Sequence, residues 1–491
     1  MEKKKGGNIA KDSMILVFVK IVTISVQIIQ TMILSRLLTK LDYGTYSQGV
    51  LIISFFTPFF SLGLENAVNY FFNNKTNKEK YLNTIFTVSI VSGIVCGIMI
   101  LGMSNWLVDY FDNPLIKGFI VYVAFRPCLQ NLISLYQPLY ISSGRAKVIA
   151  IRNSIISVAQ VVMVCGISYY VKKLTMVFLG LLLMDIVQAI YYMILFGKIE
   201  FKINFFKLDT NLLKEIFDYS IPMLLSTSIA TINVNVDKLM INIFMNTEEY
   251  ALYSNVSKEL PFAFIVTTVT TVVMPFAVKL LNSDNTETFK IMWKRYLEFG
   301  YLITWPLCVG AAVFSKEFIL LLYSDKYLTV EGNAIFIIYT IVAMLRFTYF
   351  GMIASAKGET KIIMKYSIIG CVINLLLNYF LFYLMGMVGP AVSTLISLIA
   401  GAILYFKKSL KIVNFRLSEI FDLKKIMALI LEMIVMAIVI RPIANIVNQL
   451  YGNTVITLLC GYSVFVISIM LLNLKGIKEV YLLFKDIKSE E

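Results

Sequence analysis

Fourteen stretches of this chain are each long and apolar enough to cross a bilayer: 13–35, 48–72, 82–103, 116–140, 148–170, 174–196, 219–245, 253–281, 296–314, 333–356, 364–385, 389–406, 425–447 and 453–474. A helix needs about 20 residues to span the hydrocarbon core. Inside lipid the backbone must also satisfy its own hydrogen bonds, which leaves few folds open. The stretches lack the ~10-residue alternating pattern of membrane barrel strands. The expected fold is therefore all-α integral membrane, with 14 transmembrane helices and connectors too short to hold a soluble domain. Composition agrees: 58% of residues are hydrophobic and 15% are charged, against roughly 25% charged in an ordinary soluble chain. The short gaps at 170–174 and 385–389 predict tight antiparallel hairpins.

A formal charge of +14 could suggest a nucleic-acid partner, but its placement does not. Most Lys and Arg fall in the N-terminal segment, the even-numbered loops and the C-terminal tail, and few fall in the odd-numbered loops. That is the positive-inside pattern of a membrane protein, and it puts both termini in the cytoplasm. The basic tail and Lys3, Lys4 and Lys5 are expected to set topology and touch anionic lipid; no nucleic acid is expected. The first apolar stretch follows Lys11, is span-length and lacks a small-residue cleavage pattern, so no signal peptide is expected. The six Cys lie scattered in spans without CxxC spacing and read as small apolar residues. The chain contains no His, which removes His-based acid–base chemistry and His metal sites. It has no Walker A sequence and no loop large enough for a catalytic domain, so it does not read as an enzyme.

The chain repeats itself. Residues 41–48 read Leu-Asp-Tyr-Gly-Thr-Tyr-Ser-Gln, and residues 248–255 read Glu-Glu-Tyr-Ala-Leu-Tyr-Ser-Asn. Each block sits between the first and second span of its half. Gly144-Arg145-Ala146-Lys147 and Gly358-Glu359-Thr360-Lys361 echo each other between the fourth and fifth spans. Six spans per half give a parallel repeat, with a site expected between the lobes. The expected organisation is an N-lobe at 1–196, a connector at 197–218, a C-lobe at 219–408, two further spans with their preceding loop at 409–474, and a tail at 475–491. The connector carries Lys198, Lys202, Lys207 and Lys214 and reads as an interfacial helix.

A charge deep in a bilayer costs from ~2.5 to more than 10 kcal/mol, so it must face protein or a water-filled cavity. Such positions here include Lys20, Glu65, Arg126, Asp185, Asp237, Lys238, Lys258, Glu259, Arg346 and Glu432. Arg126 and Arg346 each lie near the middle of the fourth span of their half, and Lys20 and Lys258 lie on the opening helices. Together they are expected to line a cavity that holds an anion, the Arg forks suiting a phosphate. The competing reading is an internal ion pair, for example Arg126 or Lys20 with Glu65. Asp237 and Glu65 are candidates for ion coupling or helix pairing; Asp185 and Glu432 read as structural.

Several segments resemble one known family. They are Lys11-Asp12-Ser13, Leu37-Leu38 followed by Asp42-Tyr43-Gly44-Thr45-Tyr46, Ser61-Leu62-Gly63-Leu64-Glu65-Asn66-Ala67, and Asp237-Lys238-Leu239-Met240-Ile241. The clearest piece runs from Gly358 and Lys361 through Asn374-Leu375-Leu376-Leu377-Asn378 to Gly386-Met387-Val388-Gly389-Pro390-Ala391. In that order, with two six-helix lobes, the chain resembles the Wzx-type polysaccharide-unit flippases of the multidrug/oligosaccharidyl-lipid/polysaccharide exporter superfamily. The resemblance implies a transporter that moves a polyisoprenyl-diphosphate-linked oligosaccharide across the bacterial cytoplasmic membrane by alternating access. It implies no cofactor, with coupling to an H+ or Na+ gradient, and partners among membrane lipids, polysaccharide polymerases and glycosyltransferases. The alternatives are a peptidoglycan-precursor flippase and a cation-coupled multidrug exporter.

Overall fold

The computed structural model describes residues 3–479 apart from 75–76, 144, 200–202, 206, 259, 261 and 284. Gly144, Lys202, Glu259 and most of the expected tail lie outside the described residues. Among the described residues every regular element is helical. In chain order the first ten helices are α1 (Lys3–Leu37), α2 (Lys40–Phe60), α3 (Leu64–Asn74), α4 (Lys78–Gly102), α5 (Ser104–Phe111), α6 (Ile120–Ser142), α7 (Ala146–Tyr170), α8 (Leu174–Ile199), α9 (Thr210–Phe244) and α10 (Thr247–Val256). There follow α11 (Ala263–Asn282), α12 (Thr286–Val313), α13 (Ser315–Leu322), α14 (Val330–Leu345), α15 (Met352–Ala356), α16 (Thr360–Met385), α17 (Val388–Val413), α18 (Leu417–Ile420), α19 (Leu423–Tyr451), α20 (Thr454–Thr457) and α21 (Ser463–Leu472).

Nine of the described helices are long and apolar enough to cross a membrane, or up to eleven if each bent pair is one span. The expected fourteen also included α6 and α9, long helices that bury polar groups: Arg126 and Asn131 on α6, and Asn235, Asp237 and Asn242 on α9. The spanning helices turn apolar side chains outward. Ile98, Val162, Val187, Leu376 and Ile438 are 63%, 67%, 65%, 65% and 67% exposed. Apolar exposure repeated on so many helices suits lipid, not water. The protein is a multi-pass membrane protein.

The chain forms two compact units, Met1–Leu252 and Tyr253–Glu491. The division falls later than the expected connector because α9 packs with the first unit. There it lies against α2, α3, α4 and α5. The Tyr110 hydroxyl donates to the Leu239 carbonyl at 2.9 Å, and the Asn204 amide donates to Asn83 Oδ1 at 2.7 Å. The core of this unit gathers Leu64, Phe71, Phe86, Tyr136, Tyr192 and Ile216. Between α2 and α3 the chain bends by 45°. Gly63 makes the bend possible: its φ is +67°, and a Cβ there would run into the Ser220 carbonyl oxygen.

The second unit is built around α12, whose Phe289, Trp293, Tyr296 and Tyr301 are buried. The last two predicted spans join this core through Met433, Ile440, Phe465 and Ile469. Ion pairs fasten the first of them as well: Lys425 to Glu298 at 3.2 Å, and Arg441 to Glu317 at 2.8 Å. Asn473 of the last span donates to Glu432 at 2.6 Å. The α16–α17 hairpin turns at Gly386, φ +56° and ψ −137°, a conformation open only to glycine. It is held by Asn378, which donates to Asn374 and to Ser393 at 2.9 and 3.1 Å.

Candidate functional site

One face of α8 gathers a buried polar cluster in the first unit. Asp185, Gln188 and Tyr192 are spaced i, i+3, i+7, which stacks them on one side of a helix. Arg126 Nε from α6 bonds Asp185 Oδ2 at 2.7 Å, and both side chains are less than a tenth exposed. Arg152 from α7 donates to Gln188 and lies 4.7 Å above the Tyr192 ring. Tyr136 and Tyr140 of α6 pack on Tyr192 with centroids 5.6 and 5.4 Å apart. Arg126 therefore finds its counter-charge inside the unit. This is the ion-pair alternative of the sequence reading, with Asp185 as the partner in place of Glu65. Desolvating a guanidinium is so costly that a carboxylate within reach captures it.

Three other predicted charges sit where helices stop. Glu65 is in the first turn of α3, directly after the α2–α3 bend, and is exposed. Lys258 lies two residues past the end of α10 and is half-buried, with Nζ 3.4 Å from Asn255 Oδ1. Arg346 is the C-cap of α14, half-buried, and the chain becomes helical again only at Met352. Spans 8 and 10, expected as single helices, are thus interrupted. Each charge has the sign its helix end favours: acid at an N-terminus, base at a C-terminus. That complement is worth about 0.3–1 kcal/mol apiece. Irregular backbone at membrane depth is tolerated only where protein buries it or a watery cavity adjoins it.

The break after α14 is braced by α12. The Tyr349 amide donates to Tyr296 Oη at 3.0 Å, and Tyr296 also bonds Thr270 at 2.6 Å. Gly300 faces the Phe347 carbonyl so closely that a Cβ would overlap it. Gly300→Ala should therefore destabilise the protein by about 1–3 kcal/mol through overpacking against rigid backbone. Thermal unfolding in detergent measures this, and an unchanged midpoint would contradict the packing.

The two repeat blocks open helices in the same way. Thr39 caps α2 by accepting the Asp42 amide at 3.0 Å. Asn246 Oδ1 accepts the Glu249 amide at 2.9 Å, and Glu249 accepts the Asn246 amide at 3.2 Å. The recurrent acid thus stands at N3 in both: Glu249 closes a capping box, and the Asp42 carboxylate accepts the Thr39 hydroxyl at 2.7 Å. Within the first unit the blocks also meet. A Cβ on Gly44 would collide with the Thr247 carbonyl. Tyr250 Oη donates to the Ser47 carbonyl at 3.4 Å. Gln48 Nε2 donates to Asn242 Oδ1 at 2.9 Å and lies 3.4 Å from Thr247 Oγ1. Asn113 Nδ2 completes the cluster, donating to Gln48 Oε1 at 2.7 Å.

The remaining predicted residues are dispersed. Lys20 is exposed on α1. Asp237 is 2% exposed on α9, where its carboxylate accepts the Lys238 amide at 2.8 Å. Sequence reasoning passed over Arg152, Gln188 and Gln48. The i, i+3, i+7 spacing on α8 was a signal for the first two, and Gln48 stands at the end of a repeat block already in view.

A family model described as polysaccharide biosynthesis protein matches residues 33–331. The chain is 21% identical over 388 residues to the capsular polysaccharide biosynthesis protein CapF of Staphylococcus aureus, covering 76% of this chain and 92% of that protein. Its fold is similar to the solved inward closed conformation of the lipid II flippase MurJ, with TM-score 0.69, 16% identity, and 95% and 100% of the two chains covered. It is also similar to an inward-facing multidrug resistance MATE family transporter of the MOP superfamily, with TM-score 0.62, 14% identity, and 80% and 98% covered. With a model match across well over half its length, the chain belongs to the polysaccharide biosynthesis protein family, and its fold is similar to that of these two solved proteins.

Proposed function

We propose that this protein is a flippase carrying polyprenyl-diphosphate-linked oligosaccharide units across the bacterial cytoplasmic membrane, by alternating access, for surface polysaccharide synthesis. The observation that carries the reading is the family match over residues 33–331. The proposed topology has fourteen crossings and both termini in the cytoplasm, as the alternating loop charges require. Moving a diphosphate and several sugars through hydrocarbon unaided would strip their hydration at prohibitive cost, so the cargo needs a protected polar path.

Arg346, Lys258 and Lys20 are the proposed cargo-binding cations. Arg346 and Lys258 stand at helix interruptions, where backbone irregularity favours a neighbouring polar space. Arg346→Ala and Lys258→Ala should each slow flipping about tenfold, because a hydrogen bond to a charged group contributes ~1.5–3 kcal/mol. Asp237 and Glu65 are the proposed coupling carboxylates for H+ or Na+. The measurement is flipping of a fluorescent polyprenyl-diphosphate oligosaccharide by purified protein in liposomes, beside a peptidoglycan-precursor lipid and a cationic dye. Selective movement of the oligosaccharide lipid supports the reading. Movement of the precursor alone reassigns the protein to cell-wall synthesis, and export of the dye alone makes it a drug exporter. Full rates in both cation variants would remove those residues from the path.

A further inference from the structure

We propose that a groove in the first unit, bounded by α2, α4 and the start of α9, holds the polyprenyl tail of the lipid-linked cargo. The proposal rests on the flippase reading above. The groove is open along one side and offers about 780 Å³, within the ~300–1,000 Å³ range of ligand sites. Phe55, Phe56, Phe59 and Phe60 line it from α2, and Leu213 and Phe217 line it from α9. Leu62, at the α2–α3 bend, lines it as well.

The lining dictates a hydrocarbon occupant. Two hydroxyls reach the groove, and both are spent on backbone carbonyls. Ser92 Oγ donates to the Phe60 carbonyl at 2.8 Å. Thr87 Oγ1 lies 2.7 Å from the Asn83 carbonyl and 2.8 Å from the Phe205 carbonyl. Water in such a space would find no partners, and an empty space would forfeit dispersion contacts along every wall. Bilayer hydrocarbon can enter along α4, where Val91 and Val95 are 56% and 51% exposed.

The shape favours a branched chain over a straight one. Lining residues on α4 run from Thr87 to Met99, about 18 Å along the helix axis. That is more than half of the ~30 Å hydrocarbon thickness, so the occupant lies along the bilayer normal. A volume of 780 Å³ over that length gives a mean cross-section of roughly 40 Å², wider than one extended methylene chain fills. Methyl branches and rigid double bonds at regular intervals let a polyprenyl chain fill that width against flat Phe faces. The cargo proposed above carries such a chain.

The test uses the full chain in lipid nanodiscs with a long-chain polyprenyl phosphate bearing a terminal diazirine. Val91→Trp and Val95→Trp add bulk at half-exposed groove positions, and unchanged melting shows that each variant folds. Wild-type protein should be photolabelled on α2 and α4. Unlabelled polyprenyl phosphate should compete the label away, and phosphatidylglycerol should not. Either Trp should lower labelling about tenfold, the equivalent of displacing some two methylene groups. In liposomes the same variants should slow flipping of a long-tailed oligosaccharide lipid and leave a short-prenyl analogue at the wild-type rate. Competition by phosphatidylglycerol to the same extent would make the groove an acyl-chain site and overturn the proposal. Undiminished labelling in both Trp variants would overturn it too. Groove labelling in a protein that flips no oligosaccharide lipid keeps the tail site and removes the flippase reading. Flipping with an unlabelled groove removes the tail site alone.

Discussion

Asp185→Ala will destabilise the protein by about 3–5 kcal/mol, because it strands the Arg126 guanidinium in the interior without a counter-charge. The 2.7 Å contact is buried on both sides, so the guanidinium left behind has little access to solvent. Arg126→Ala leaves Asp185 in the same position and should cost a similar amount. The informative variant is the double one. Arg126→Met with Asp185→Leu replaces two charges by packed apolar groups, and such exchanges are often neutral or stabilising. Reversible unfolding in mixed micelles measures all three. A double variant that is stable and flips at the wild-type rate makes Arg126 a strut between α6 and α8. A double variant that is stable but no longer flips would return Arg126 to the cargo path.

Gly44→Val should be the next most damaging change. The obstacle is the Thr247 main-chain carbonyl, which cannot rotate away as a side chain could. Either α10 backs off α2 or the new side chain is strained, at about 1–3 kcal/mol. Backing off would also lengthen the Gln48–Asn242 and Tyr250–Ser47 hydrogen bonds. The expected result is a lower melting point with a larger loss of flipping. Gly401→Ala on α17 is the control. Nothing lies within 4 Å of a Cβ there, and removing a mid-helix glycine gains about 0.5–1 kcal/mol. Equal melting for the two variants would mean that the close approach of α2 and α10 bears no load.

Much of the architecture was legible in the order of residues. Apolar runs marked the long helices, and the gap at 385–389 marked the Gly386 hairpin. The echo of residues 41–48 in 248–255 marked two helix starts, and the acid of each block proved to stand at the third helical position beside its cap. What hydropathy could not show was the break after α14. Its window averages across Arg346 and Phe347, and the break depends on Gly300, Tyr296 and their distance from Phe347. Nor could it show that α9 joins the first unit, since helix-to-helix packing is settled by surfaces, not by apolar content.

By itself the sequence determined that this chain lives in lipid as a set of helices, and it showed which way the loop charges bias it and where two short blocks echo each other. Those properties are local. Each span meets the bilayer alone, and each backbone hydrogen bond within it closes over four residues. Only the tertiary structure decided which charges neutralise one another. Arg126 could have met Glu65 or Asp185, and Lys258 and Arg346 could have lain inside helices or at their ends. Coulomb attraction falls with distance and hydrophobic burial has no direction, so those outcomes waited on where the helices came to rest.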